Sequence, residues 1–134
     1  MLNQKNGFTL VEVMLVVLII ALLATIGIPN LLRARVEAHD AAAQAALKSI
    51  STALETYAST ENQYPPDTTS LLGAVPPYLA VDYFTGIHSG FTFTITLATD
   101  TYTVTAEPAS AGLGTTTFTV TTGGVLTEQS TSHF

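Results

Sequence analysis

Residues 8–32, FTLVEVMLVVLIIALLATIGIPNLL, form an apolar run in which Glu12 is the one charged residue. A helix needs about 20 consecutive apolar residues to cross a lipid bilayer. An ordinary secretory signal has a shorter apolar core followed by a small-residue cleavage site, so this run does not fit that class. A domain of this size could hardly bury a helix that is apolar on every side. The run therefore predicts a membrane-spanning segment, and Lys5 in the polar leader MLNQKNG favours a cytoplasmic N-terminus.

The helix is predicted to begin near Phe8 and to continue to about Thr60, where the sequence ENQYPP stops it. Such a helix would span roughly 80 Å. From Arg33 onward the composition becomes Ala-rich and amphipathic, and apolar residues recur at spacings of three and four. The stripe consists of Ala43, Leu47, Ile50, Leu54 and Tyr57. We expect it to pack on a folded head, while Glu37, Asp40, Lys48 and Glu55 lie largely outside it.

Pro29 interrupts the hydrogen bonding of this predicted helix. It has no N–H to donate to the carbonyl of Thr25, and Gly27 weakens the same stretch. The sequence therefore predicts a kink or a locally melted segment around residues 23–29. In the alternative, the membrane helix ends at Pro29 and a separate helix begins.

The second half of the chain changes to a period of two. Residues 64–79, with two proline pairs, are predicted to be a connecting loop in which Asp67 or Thr69 caps a short helical turn through Leu72. Alternation of apolar residues with threonine then predicts strands in FTFTITL, YTVTAE and TFTVT, and Gly123-Gly124 predicts a hairpin turn into Val125-Leu126. The sheet would have one apolar face, which the helix stripe covers. The predicted fold class is α+β, with a long helix packed on a small antiparallel sheet.

These patterns divide the chain into four predicted segments. They are a leader at 1–7, an apolar helix half at 8–32, an amphipathic helix half at 33–62, and a head with its connecting loop at 63–134.

Composition argues against several functions. The formal net charge is −6, and all four basic residues precede Ile50, so the head would repel nucleic-acid phosphates. The chain has no cysteine and therefore no disulfide or thiolate nucleophile. His39, His88 and His133 lack metal-ligand spacing.

Catalytic patterns are missing as well. Ser110 lies in a predicted loop, outside the strand-turn-helix context of a nucleophile. A calcium site at Asp82 or Asp100 is a weaker alternative, because no dense run of oxygen ligands surrounds either residue. We therefore expect no enzyme activity, no cofactor and no metal.

The carboxylate of Glu12 needs a positively charged partner in an apolar environment. An acid at the centre of a bilayer helix costs about 2.5–3.5 kcal/mol, and less near an end. If the chain is cut between Gly7 and Phe8, the new α-amine lies one helical turn from Glu12. The carboxylate could then pair with its own amine or with that of a neighbouring chain, which would set the register between packed helices.

The stretch GFTLVEVMLVVLIIALLATIGIP resembles the type III prepilin signal of bacterial type IV pilins and type II secretion pseudopilins. The resemblance implies cleavage after Gly7 by a prepilin peptidase, N-methylation of Phe8, and a role for Glu12 in filament assembly. It also implies self-association into a helical homopolymer, contact with the inner membrane, the assembly machinery and minor pilins, and an extracellular pilus as the final location.

The leading hypothesis is therefore a major pilin-like structural subunit. The alternative with the same architecture is a major pseudopilin of a type II secretion system, which forms a short periplasmic filament. An anchored binding module that never polymerises is a different class, and it predicts that Glu12→Ala is silent. An anchored enzyme is a third class, and it lacks a catalytic set.

Overall fold

The computed structural model describes residues 6–130, so Lys5 and His133 lie outside the described part of the chain. Within it, two helices precede four strands. They are α1, Leu10–Glu61; α2, Thr69–Leu72; β1, Phe91–Leu97; β2, Tyr102–Pro108; β3, Thr116–Thr121; and β4, Val125–Ser130. The chain divides into two compact units at the junction between Ala34 and Arg35. The fold class is α+β, as predicted.

The first unit contains the apolar part of α1. This is the one helix among the described residues that is long and apolar enough to cross a membrane. Its large apolar side chains are all exposed in the single subunit, from 48% for Ile19 to 77% for Leu10. The side chains lie all around the helix, so no single face is polar enough to remain in water.

Pro29 lies inside α1, which is assigned as one helix from Leu10 to Glu61. The alternative of two separate helices is therefore wrong. The hydroxyl of Thr25 donates to the carbonyl of Ala21 at 2.8 Å, a local bond that often bends helices. Together with the missing donor at Pro29, it weakens hydrogen bonding in the stretch where a kink is predicted.

The second unit is a helix-on-sheet head. Its sheet is antiparallel with strand order β1-β2-β3-β4. The core is formed where the predicted helix stripe packs against the apolar face of the sheet. On the helix Leu47, Ile50 and Leu54 are fully buried, and on the sheet Phe91 and Val104 are fully buried. Burying one such side chain stabilises the head by about 1.5–3 kcal/mol.

The strand register puts apolar and hydroxyl side chains on opposite faces. Val104 pairs with Val120 in the inner layer. On the outer face Thr94, Thr105, Thr119 and Thr127 form one row across all four strands. The predicted alternation is thus confirmed, and threonine suits a strand face that remains in water.

The predicted turns are present. Asp67 Oδ1 accepts hydrogen bonds from the Ser70 backbone N–H at 3.0 Å and from the Thr69 hydroxyl at 2.7 Å at the start of α2. These donors hold the pKa of Asp67 below its ordinary value, since they stabilise the charged form. Gly123 and Gly124 both have positive φ, as a tight hairpin turn between β3 and β4 requires.

Two of the four charged residues predicted to lie outside the apolar stripe of α1 are partly covered by the head. Glu37 and Lys48 are exposed, whereas Asp40 and Glu55 are half-buried. Asp40 lies under the segment that precedes β3, and burial raises the pKa of its carboxyl. Glu55 lies beneath two tyrosine hydroxyls and the β3–β4 turn. The head wraps further around the helix than the apolar stripe alone indicates.

Candidate processing and assembly site

The predicted cleavage junction lies just before the helix. Residues 6–9 have no regular secondary structure, and α1 begins at Leu10. The Gly7–Phe8 bond is thus in an open backbone segment, and Phe8 is 84% exposed. A Cβ added to Gly7 would meet no atom within 4 Å, and its φ does not require glycine. The fold itself therefore gives no reason for a glycine at this position.

Thr9 caps the N-terminus of α1, a role that was not predicted from the sequence. Its hydroxyl accepts a hydrogen bond from the Glu12 backbone N–H at 3.2 Å, and its carbonyl accepts one from the Val13 N–H at 3.2 Å. Thr-x-x-Glu is the signature of a capping box, so the pattern TLVE could have revealed this cap. Because the cap is C-terminal to the Gly7–Phe8 bond, the helix start does not depend on the leader.

The carboxylate of Glu12 has no hydrogen bond or ion pair within residues 6–130. In the uncut chain the nitrogen of Phe8 is an uncharged amide, which cannot form an ion pair with it. Cleavage at Gly7–Phe8 would convert this amide into a positive α-amine, four residues before Glu12 and in the non-helical segment 6–9.

The predicted kink residues lie further along the same apolar helix. An added Cβ at Gly27 would meet nothing within 4 Å, so the isolated subunit does not need glycine there either. Pro29 is two residues further on and removes one hydrogen bond from the helix.

A polar cluster in the head was not predicted. The carboxylate of Glu55 accepts hydrogen bonds from the Tyr64 hydroxyl at 3.1 Å, the Tyr102 hydroxyl at 3.1 Å and the Gly123 N–H at 2.9 Å. The Tyr102 hydroxyl also lies 2.8 Å from that of Ser51. Ser51 and Glu55 lie on α1 and Tyr64 follows it closely. Tyr102 and Gly123 are 47 and 68 residues from Glu55, so no local motif indicates the cluster.

This cluster has a structural role in the head. Its carboxylate is surrounded by donors, and it ties α1 to the loop after it, to β2 and to the β3–β4 turn. Burial, followed by the hydrogen bond and the charge of Glu55, raises the pKa of Tyr64 to about 12. Burial also raises the pKa of Tyr102. Both hydroxyls therefore remain protonated donors at neutral pH.

The candidate metal and catalytic residues do not converge. Within residues 6–130 no three His, Asp or Glu side chains are placed to hold a metal ion. His88 bonds to the Thr85 carbonyl, and Asp82 accepts hydrogen bonds from the Thr85 hydroxyl and the Phe84 N–H. These contacts are the local bonds of a loop.

Two of the open grooves that border the helix in the head lie next to each other. One, of about 860 Å³, lies between α1 and residues 74–83. The other, of about 430 Å³, lies between α1 and the inner face of β3 and β4. Ala45, Lys48 and Thr52 border both grooves, so they form a ridge between the two.

Known proteins share sequence with this chain. Residues 2–28 match the prokaryotic N-terminal methylation motif. The chain is 42% identical over 71 residues to the type IV wide pilus major component PilA4 of Thermus thermophilus, covering 53% of this chain and 54% of that protein. It is 40% identical over 63 residues to the type IV major pilin protein PilA of Myxococcus xanthus, covering 46% of this chain and 29% of that protein.

The relatives also include proteins of another system. The chain is 36% identical over 63 residues to the type II secretion system core protein G of Aeromonas hydrophila, covering 47% of this chain and 44% of that protein. The matched segments thus span between 29% and 54% of these three relatives. By its N-terminal motif and by relatives of both kinds, the chain is similar over about half of its length to type IV pilins and type II secretion system proteins.

Proposed function

We propose that this chain is a structural subunit that polymerises into a type IV pilus-like filament after removal of residues 1–7. The observation that carries the proposal is the exposed apolar surface of α1 between Leu10 and Leu32. Each large apolar side chain gains about 1.5–3 kcal/mol on full burial. A lipid bilayer can cover this surface before assembly. After the helix leaves the membrane, this apolar surface can be buried against the same helix of other copies of the chain.

Cleavage at Gly7–Phe8 is the proposed first step. The bond lies in non-helical backbone next to an exposed phenylalanine, where a peptidase can bind an extended chain. Gly7 has no role in the fold of the subunit, which supports recognition by another protein as the reason for glycine. The proposed partner is a membrane prepilin peptidase that also methylates the amine of Phe8.

Glu12 is the proposed assembly residue. Its carboxylate is unpaired within residues 6–130, and burial between apolar helices would be costly without a positive partner. The amine of Phe8 on a neighbouring copy satisfies this requirement and sets the axial register of the two helices. Pairing within one copy would neutralise the charge but would give no information about register.

The stretch containing Gly27 and Pro29 is proposed to deform during assembly. Its helical hydrogen bonding is already weakened in the single subunit by the missing donor of Pro29. Gly27 offers a surface without a side chain, on which another helix can approach closely.

The subunit is proposed to begin as a single-pass protein of the inner membrane with a cytoplasmic N-terminus, and then to enter an extracellular filament. Other copies of this chain, the pilus assembly machinery and minor pilins are its proposed partners. It acts without catalysis or a cofactor. Because the head carries most of the negative charge of the chain, direct nucleic-acid binding is not part of the proposal.

A second candidate function is a major pseudopilin in a short periplasmic filament. The similarity to a type II secretion system core protein G favours it, and the described architecture suits both functions equally well. The two candidates differ in the length and location of the filament.

The decisive experiment shears cells that express the chain, collects released filaments and determines the N-terminus of their subunit by mass spectrometry. Long extracellular filaments whose subunit begins at a methylated Phe8 support the pilin. A subunit that is cut at Phe8 but remains cell-associated supports the pseudopilin. An intact leader, or a cut at another bond, contradicts both.

Glu12→Ala tests the assembly step separately. We expect normal cleavage at Phe8 with loss of filaments, because the variant cannot pair with a neighbour's amine. Glu61→Ala, which removes an exposed acid at the other end of α1, serves as the matched control and should assemble normally. If Glu12→Ala yields as many filaments as Glu61→Ala does, the chain is better described as an anchored module that does not need this pair.

A further inference from the structure

We propose that a loop on the head of one subunit inserts into the groove beside β4 on the head of a second copy. The loop is residues 74–81, AVPPYLAV, and its exposed tip at 75–77 is the part that enters, since Leu79 is buried in its own head. The receiving surface is the smaller of the two grooves. This inference rests on the proposed filament, and it identifies a contact between heads that the helix packing of residues 8–32 does not specify.

The loop presents a protruding apolar tip. Val75 is 98% exposed, and Pro76 and Pro77 beside it are exposed as well. The tip is held at its base, because the backbone N–H groups of Tyr78 and Leu79 both donate to the carbonyl of Leu71, at 3.0 and 3.2 Å. A tip that is held in this way loses little conformational entropy when it binds.

The groove is apolar and is left open by the fold. Leu126 pairs with Val120 in the register, so it lies on the inner, helix-facing side of the sheet. Val120 is 3% exposed, yet Leu126 is 41% exposed, and every residue of β4 is exposed. The helix therefore covers the inner face of β3 and leaves that of β4 uncovered.

The positions of loop and groove suit an open polymer. The loop lies on one side of the ridge Ala45, Lys48 and Thr52, and the β4 groove lies on the other. If the loop inserted into the larger groove, which the loop itself borders, both copies would use the same patch and the pair would close as a dimer. Insertion into the β4 groove uses two different patches, so each copy can bind one neighbour and be bound by another.

Charge supports the head of a second copy as the occupant, although it does not choose between the two grooves, because Lys48 borders both. Among the residues that line the β4 groove, Lys48 is the one charged side chain. The inserted loop contains no charge; the exposed carboxylate of Asp82 follows it directly in the chain, and that of Asp67 precedes it across α2. With ten acids and four bases in the whole chain, most head-to-head contacts would bring acids together. The proposed contact instead places acidic flanks near a lysine.

The absence of cysteine from the chain allows a direct test by cross-linking. Filaments of the double variant Val75→Cys/Leu126→Cys are oxidised, denatured and separated on a non-reducing gel. We expect a ladder of dimers, trimers and longer species, since each copy supplies both partners. The matched control is Ile87→Cys/Leu126→Cys, which moves the first cysteine to another exposed apolar residue and should give mainly monomer.

The possible outcomes distinguish a failure of this loop contact from a failure of the proposed filament. Filaments without a ladder, or a ladder as strong in the Ile87 control, overturn the contact and leave the proposed function standing. A strong dimer from Val75→Cys alone also overturns it, because it would show a symmetric pairing of loops. A parent chain that makes no filament overturns the proposed function and this inference with it.

A second variant covers the case in which the double cysteine variant does not assemble. Val75→Lys places a positive charge against Lys48 of the neighbour, and we expect filament yield to fall at least tenfold. Ile87→Lys should leave the yield within twofold of the parent. Equal yields from the two lysine variants would overturn the contact.

Discussion

Glu55→Ala should destabilise the head strongly, although Glu55 lies outside the apolar stripe. The substitution removes the acceptor for the Tyr64 hydroxyl, the Tyr102 hydroxyl and the Gly123 N–H. Three separate parts of the head would thereby lose their shared attachment to α1.

The size of the loss follows from what each donor can do afterwards. Tyr102 keeps the Ser51 hydroxyl as a partner at 2.8 Å, and the exposed Gly123 N–H can bond to water. The Tyr64 hydroxyl is half-buried and loses its acceptor. A hydrogen bond to a charged group contributes about 1.5–3 kcal/mol, and replacement by water recovers part of it. We therefore expect the free energy of unfolding of the head to fall by about 2–3 kcal/mol.

The assay is urea unfolding of the full chain in a mild non-ionic detergent, followed by the near-ultraviolet circular dichroism of the tyrosines. Glu61→Ala is the control, because it removes an exposed acid from the same helix and should change stability by less than about 0.5 kcal/mol. A loss below about 1 kcal/mol for Glu55→Ala, or an equal loss for the control, would refute the structural role of the cluster.

Further predictions concern the tyrosines and a close approach in the core. Because the pKa of Tyr64 is raised from 10.0 to about 12 and that of Tyr102 is also raised, the folded head binds these protons more tightly than the unfolded chain does. Their contribution to stability is thus complete below pH 10 and is lost as the pH rises through 12, which urea unfolding at a series of alkaline pH values will measure. Gly114→Ala would place a Cβ 2.6 Å from the ring of Phe91, so we expect a loss of about 1–3 kcal/mol in the same assay, whereas Gly112→Ala, in open space, should be nearly neutral.

Periodic patterns predicted much of the fold. The alternation of apolar residues and threonine located β1, β2 and β3 almost to the residue, because one face of each strand is buried and the other is not. The stripe on α1 was correct for the same reason. The sequence VLTEQS of β4 does not alternate, and its full extent was missed because neither of its faces is buried.

The two candidate sites differ in how far sequence can predict them. Gly7, Phe8 and Glu12 are close together in the chain, so a local motif is sufficient to propose their roles. The Glu55 cluster brings together positions from 51 to 123, and only the tertiary fold makes them neighbours. A helical period shows which face of α1 is apolar. It does not show how far tyrosine hydroxyls and a hairpin turn extend around that face.

The position of Lys48 has a consequence for proteolysis. It is the last basic residue of the chain, and it lies in the middle of α1, where the backbone is helical. Proteases that cut after lysine or arginine need an extended backbone at the bond they cleave. Beyond Lys48 they would find no target in the sheet or in any loop, even where the head opens locally. A subunit exposed outside the cell would thus be protected against trypsin-like enzymes by composition as well as by folding.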